Sequence, residues 1–472
     1  MNTLRQPGRR QLLQSAACGF GALSLAGISS SQAEGSSSTA SPLAEQETHI
    51  PARAKRVIFI FMQGGPSHVD TFDYKPALER YHEKKHDFRN ARRMKVQSEE
   101  VMKSLWAFKQ YGESGRHVSS LFPEIAKHVD ELCFIHSMHT EGVAHGPSTL
   151  FLHTGATNLI RPSMGSWISY GLGTENQSLP SFVTVCPTSA KGGPRLYSNA
   201  FLPPVHQGTA LGRVGIPAAT ASFENVQNPR YNPVVQQRQL DLLREIGNAQ
   251  LQRTSADAAY DSVLDSYELA YRMQSAAPQI TDLSGETKET LTMYGIDQPE
   301  TKDFGYQCLR ARRLSEAGVR FVQISYADNQ ATPRWDQHGN MPEHEKHAKA
   351  TDKPVAGLLQ DLKQRGLLED TLVWWGGEFG RTPFTQGNNG RDHNPDGFTI
   401  WLAGGGVKQG YAHGETDEFG QNAHVNKVHM HDLHATILHT LGLDHERLTY
   451  RHAGRDFRLT DVFGNVVEDI LA

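Results

Sequence analysis

The stretch DKPVAGLLQDLKQRGLLEDTLVWW, Asp352 to Trp375, reads as a helix handed directly to a buried strand. Asp352 can cap the helix, Pro354 fits its first turn, and Val355, Leu358, Leu359 and Leu362 recur at the spacing of one apolar stripe. Gly366 ends the helix, and TLVWWG (Thr371 to Gly376) is then a continuous apolar run without polar alternation, as a strand covered on both faces requires.

Runs of the same kind recur at RVIFIFM (Arg56 to Met62), LCFIHSM (Leu132 to Met138), SFVTVC (Ser181 to Cys186), VRFVQISY (Val319 to Tyr326) and FTIWLAG (Phe398 to Gly404), with helical patterns between several of them. Alternating helix and strand predicts an α/β fold, a mostly parallel central sheet with helices on both faces. Residues 236–273 are helical in pattern with no strand signal, which predicts a helical insertion or lid. In open parallel sheets ligands bind beyond the carboxyl ends of the strands, so the loops after these runs are the ones to read for chemistry.

The chain has 472 residues and a net charge of -4, with 47 basic against 51 acidic side chains, so no basic stripe suited to a phosphate backbone is evident and nucleic acid is not an expected partner. Arg9-Arg10 precede a moderately apolar segment that ends in small residues, which reads as a twin-arginine export signal over residues 1–33. The segment is too short and too rich in Ser and Gly for a permanent membrane anchor, so a periplasmic or extracellular protein is expected. Residues 34–54, rich in Ser, Thr, Ala and Pro, read as a flexible linker, and residues 55–472 as the folded domain. After cleavage Cys133, Cys186 and Cys308 remain, an odd and sparse set that reads as buried thiols rather than a disulfide scaffold.

Of 23 histidines, twelve lie between His338 and His452. WDQHGN, after VRFVQISY, supplies Asp336 and His338; GEFGRTPFTQGNNGRDHNP, after TLVWWG, supplies Glu378, Arg381, Arg391, Asp392 and His393. Imidazole and carboxylate together at strand ends suit a divalent transition metal such as zinc. Arg381 and Arg391, two guanidinium forks beside that site, would hold a sulfate, phosphate or carboxylate; salt bridging is their plain alternative. In HVNKVHMHDLHATILHTLG the apolar spacing is helical, so Asp432 reads as its N-cap, with His431 and Asp432 kept near the site.

The phrases FMQGGPSHVDTFDYKP, YELAYRMQ, ARRLSEAGVRFVQ, LLQDLKQRGLLEDTLVWWGGEFGRTP, GRDHNPDGFTIWLAGGGVKQG and HDLHATILHTLGLDHERL resemble a family of exported bacterial proteins, domain of unknown function 1501, a branch of the alkaline-phosphatase and sulfatase superfamily. The resemblance covers most of the chain after residue 55 and implies an alkaline-phosphatase-like fold. Sulfatases and phosphatases of that kind place a Cys, Ser or Thr nucleophile in a phrase shaped Cys-x-Pro-Ser-Arg, followed by Thr-Gly. HGPSTLFLHTG keeps Pro147, Ser148, Thr154 and Gly155 in register, but His145 falls on the nucleophile and Thr149 replaces the arginine. By the same resemblance Asp336, His338 and His393 match one metal position. The second is altered at every member, with Gln63, His145, Glu378 and Phe379 in its places.

Three readings of His145 follow: a metal ligand, with His68, Asp70 or Asp73 standing in for the absent aspartate; a nucleophile; or a base for Ser148 or Thr149. Under the first, Asp336, His338 and His393 hold the metal, Glu378 is a ligand or general base, and Arg381 or Arg391 steadies the anion. The expected function is an exported metal-dependent hydrolase of sulfate or phosphate esters, acting on an anionic small molecule or polysaccharide. The alternative is a non-catalytic metal-containing protein that binds anionic glycans or cell-surface components.

Overall fold

In the computed structural model of the chain, residues 43–90, 95–251 and 258–472 are described. Among them a nine-stranded sheet is built from β1 (Arg56–Met62), β2 (Leu132–His139), β3 (Phe182–Val185), β4 (Thr209–Leu211), β5 (Phe321–Tyr326), β6 (Thr371–Gly376), β7 (Phe398–Ala403), β8 (Tyr411–His413) and β9 (Val428–His429). Its order is β8-β2-β7-β6-β1-β5-β3-β4, with β9 pairing the far end of β2. The sheet is mostly parallel, as expected; β7 alone runs antiparallel to its neighbours, β6 and β2. This reversal matters, because residues just before β7 then emerge at the same rim as residues just after β1, β5 and β6.

The strands are apolar throughout because both faces are covered. Along β1, Ile58, Ile60 and Met62 enter one core with Cys308, Leu309 and Leu314 of α5 (Lys302–Glu316) and Val355, Leu358, Leu359 and Leu362 of α6 (Glu343–Gln364). Val57, Phe59 and Phe61 enter the other, with Leu152 of α1 (His145–Thr154), Trp167 and Ile168 of α2 (Met164–Leu172), and Leu433, Ile437 and Leu438 of α7 (Met430–Thr440). Period-two alternation thus fills both cores from a single run. Helices α3 (Pro233–Leu251) and α4 (Ala258–Thr281) occupy the stretch read as helical, and Leu269, Met273 and Ala277 anchor α4 to the α5 side of the sheet.

Asp352 does not cap α6, which begins at Glu343; it lies mid-helix, and its carboxylate accepts the N–H groups of Glu124 and Ile125, both at 2.8 Å, thereby capping a neighbouring 3-10 turn. Burial pushes its pKa up to about 7. Asp432 is not the N-cap of α7 either; His429 is, and the Asp432 carboxylate reaches back to the His429 N–H at 2.9 Å as the other half of a capping box. The described part of the linker, residues 43–54, is docked rather than flexible: Leu43 and Ala54 are buried, Gln46 N–H bonds Leu172 O, and Arg53 and Ala54 N–H both bond Thr440 O. Backbone pairing of this kind is not legible in a Ser/Thr-rich composition. The signal reading and residues 34–42 lie outside the described residues. No helix among the described residues is long and apolar enough to cross a membrane. Cys133, Cys186 and Cys308 are free and buried, and burial pushes the first two thiols up to about 12.

Candidate metal centre

Four side chains meet at the carboxyl rim of the sheet. His145 opens α1 directly after the β2 loop, Asp336 and His338 come from the loop after β5, and His393 comes from the short segment that leads into β7. One potential ligand atom from each lies within 4.8 Å of the others. His145 Nε2 is 3.1 Å from Asp336 Oδ2; His338 Nε2 and His393 Nε2 are 2.9 and 3.1 Å from Asp336 Oδ1, and 3.0 Å from each other.

The opposite nitrogens decide what these rings can do. His393 Nδ1 is 2.8 Å from the carbonyl of Val143, which can only accept, so Nδ1 carries the proton. His145 Nδ1 donates in the same way to Glu378 Oε1 at 2.6 Å, and His338 Nδ1 to Gln386 Oε1, with Asp392 Oδ1 at 3.6 Å. In a neutral imidazole a protonated Nδ1 leaves Nε2 as a lone pair. Three lone pairs and a carboxylate therefore converge on one point, which only extra protons or a cation can reconcile. Three imidazole nitrogens and one carboxylate oxygen, each imidazole oriented by an acceptor behind it, form a donor set that fits a divalent transition ion.

The surrounding groups hold this arrangement in place. Burial raises the cost of charge on Asp336, but its hydrogen bonds to His145 and His393 and the guanidinium of Arg381 hold its carboxyl well below the usual range. Burial likewise opposes charge on His145, yet Asp336 and Glu378 outweigh it and the imidazole pKa is raised; on His393 burial wins and the pKa is lowered. Gly64 sits at φ 112°, and a Cβ there would come within 2.7 Å of Trp335 N, so only glycine lets the loops after β1 and β5 touch backbone to backbone. Gln63 ties the same loops through its side-chain oxygen, which accepts Asp328 N–H at 3.0 Å. Phe379 packs its ring 5.1 Å from that of His145 and 4.4 Å from that of His393, an apolar wall beside the cluster.

The remaining candidates are put to other uses. Glu378 is fully buried, with both carboxylate oxygens on Gly64 N–H as well as one on His145 Nδ1, so it orients His145 from behind rather than joining the four donors. Arg381 is fully buried, and its nitrogens go to Asp336 Oδ1 at 2.8 Å and to the carbonyls of Gly64, Gly65 and Arg391. Arg391, itself fully buried, pairs with Asp70 at 2.7 Å and bonds the carbonyls of Thr382, Met102 and Lys103. The two forks expected to clamp an anion are thus consumed in fastening loops together, and Asp70 is the counterion of Arg391 rather than a metal ligand. His68 is also outside the cluster: its Nε2 meets Gly420 O at 2.8 Å, and burial lowers its pKa. Asp73 pairs with Lys75 at 3.1 Å and Thr416 at 2.5 Å. His431 Nε2 meets Gly155 O at 3.1 Å, at the far end of α1. Val143 and Gln386, which orient two of the histidines, carry no sequence signal, because a backbone carbonyl and a loop amide acquire that role only through the fold.

Glu378→Gln keeps the shape but lowers the basicity passed to His145. Metal affinity is expected to fall about 10–100-fold, read by competition with a chromophoric chelator. An unchanged affinity would remove Glu378 from the centre.

The model of a family described as "Protein of unknown function (DUF1501)" matches residues 54–471. The chain belongs to the DUF1501 family. No curated protein sequence matches it significantly. Among solved structures, this DUF1501 chain is similar to the PsFucS1 sulfatase from Pseudoalteromonas sp. (13% identity, 84% of this chain and 69% of that one, TM-score 0.34). It is also similar to the lipoteichoic acid synthase LtaP from Listeria monocytogenes (9% identity, 89% and 78%, TM-score 0.35). A third is a protein in the alkaline phosphatase superfamily from Vibrio parahaemolyticus (9% identity, 87% and 72%, TM-score 0.35). At such scores the likeness carries no weight for activity, which has to be read from the chain's own side chains.

Proposed function

We propose that this DUF1501 protein is a metal-dependent hydrolase of anionic esters, sulfate or phosphate, exported by the twin-arginine route. The observation that carries the reading is the convergence of three imidazole Nε2 atoms and the Asp336 carboxylate, each imidazole held from behind through Nδ1. A bound divalent cation supplies Lewis acidity at neutral pH. Asp336 and the three histidines would hold it, while Arg381 fixes the carboxylate and Glu378 fixes His145. The His338 side chain is 40% exposed, so the cluster opens to solvent on that side, where an ester can approach. The amino end of α1, beginning at His145, adds the positive end of a helix dipole beside the anion.

Of the three readings of His145, the ligand role fits best. Both ring nitrogens face carboxylates, so neither is left to act as a base for Ser148 or Thr149, whose buried hydroxyls have no hydrogen-bond partner among the described residues. The same two carboxylates outweigh burial and raise the imidazole pKa, and they occupy the positions from which a nucleophilic nitrogen would have to attack. The second reading, a non-catalytic metal-containing binding protein for anionic glycans or cell-surface components, draws on one of the same facts: among the described residues neither the Ser148 nor the Thr149 hydroxyl has a base beside it.

A substrate screen separates the two. The metal-loaded protein is expected to turn over at least one class among aryl sulfates, phosphomonoesters and phosphodiesters, and to lose that activity on chelation. Stoichiometric metal with no turnover of any class would leave the binding protein.

A further inference from the structure

Helix α3 carries two apolar stripes. One, with Gln236, Leu240, Leu243 and Gly247, is the less exposed side, and Gln236 accepts a hydrogen bond from Gln274 of α4 at 2.6 Å. The other, with Val235, Leu242 and Ile246, points outward: these side chains are 36%, 55% and 50% exposed, and Tyr231 and Val234 extend the patch at its start. Large apolar side chains seven and four residues apart on an open helix face are a packing surface that the described residues leave uncovered.

The charges beside the stripe favour a second copy of the same helix. With Val235 and Leu242 at d positions of a heptad and Gln239 and Ile246 at a, Arg238 and Glu245 both fall at g. Neither has an ion-pair partner among the described residues, whereas the neighbouring Arg244 pairs with Glu268 of α4. In an antiparallel pair of identical helices g faces g, so Arg238 of one copy meets the partner's Glu245, and the two-fold axis repeats the pair. Val235 then packs near the partner's Ile246. A parallel pair would instead need g to face e, and the e positions, Gln236 and Leu243, are on the side turned to α4.

We propose that the protein forms a two-fold symmetric dimer through antiparallel α3 helices, the two α3–α4 hairpins making a four-helix assembly. Sedimentation velocity on the purified full chain tests it. The wild type sediments as a dimer, and Leu242→Asp with Ile246→Asp, both at exposed positions and checked for fold by circular dichroism, sediments as a monomer. Arg238→Glu places like charges at both g contacts and weakens the dimer about tenfold, roughly 1.4 kcal/mol. Adding Glu245→Arg to it restores the affinity. A monomeric wild type at the highest soluble concentration, a dimer that survives the double Asp variant, or a charge swap that restores nothing would each overturn the proposal.

Discussion

Replacing His338 and His393 together by Ala is expected to abolish metal binding, and with it the proposed hydrolysis, while the protein stays folded. A four-donor transition-metal site is worth about 10–16 kcal/mol at neutral pH, or roughly 3 kcal/mol per ligand, so losing two donors costs about 6 kcal/mol and about four orders of magnitude in affinity. Bound metal after gel filtration should fall from one per chain to near zero by mass-spectrometric metal analysis. The fold tolerates the change because both rings stand at the open side of the cluster, with side chains 40% and 15% exposed, and neither supports the core. A double variant that still carries stoichiometric metal and still turns over substrate would contradict the assignment of these donors.

The second large effect falls on stability rather than metal. Asp70→Ala strands the Arg391 guanidinium in a site with no solvent exposure, leaving it three carbonyls and no counterion. Breaking a buried pair by removing one partner costs about 3–5 kcal/mol, because the remaining charge is desolvated without compensation. Urea unfolding should show that loss, whereas Asp70→Asn, which keeps an acceptor but not the charge, should lose less. Metal stoichiometry in the folded fraction should not change. A stable Asp70→Ala protein that has lost its metal would return Asp70 to the cation site.

Much of the architecture was legible because a strand buried on both faces has no room for polar alternation: RVIFIFM and TLVWWG read as strands and are strands. The short edge strands β4, β8 and β9 were not, since two or three residues carry no pattern. The loops that hold Asp336, His338 and His393 were found by looking beyond strand ends, and His145 by its place in the resemblance, yet His393 precedes its strand and reaches the rim only because β7 runs backwards. Nothing in FTIWLAG announces that direction. Arg381 and Arg391 look alike in a Gly-rich loop, and their type alone could not show that both are turned inward onto carbonyls and carboxylates rather than outward to an anion. Asp352 failed for a related reason: a carboxylate before an apolar stripe reads as that helix's own cap, and only the packed fold reveals that it caps another.

The most direct test of the centre itself is an anomalous difference map from crystals grown with a divalent transition metal. A single peak about 2.0–2.2 Å from Nε2 of His145, His338 and His393 and from one carboxylate oxygen of Asp336 is the predicted result. A peak coordinated by other side chains, or none at this cluster at saturating metal, would contradict it.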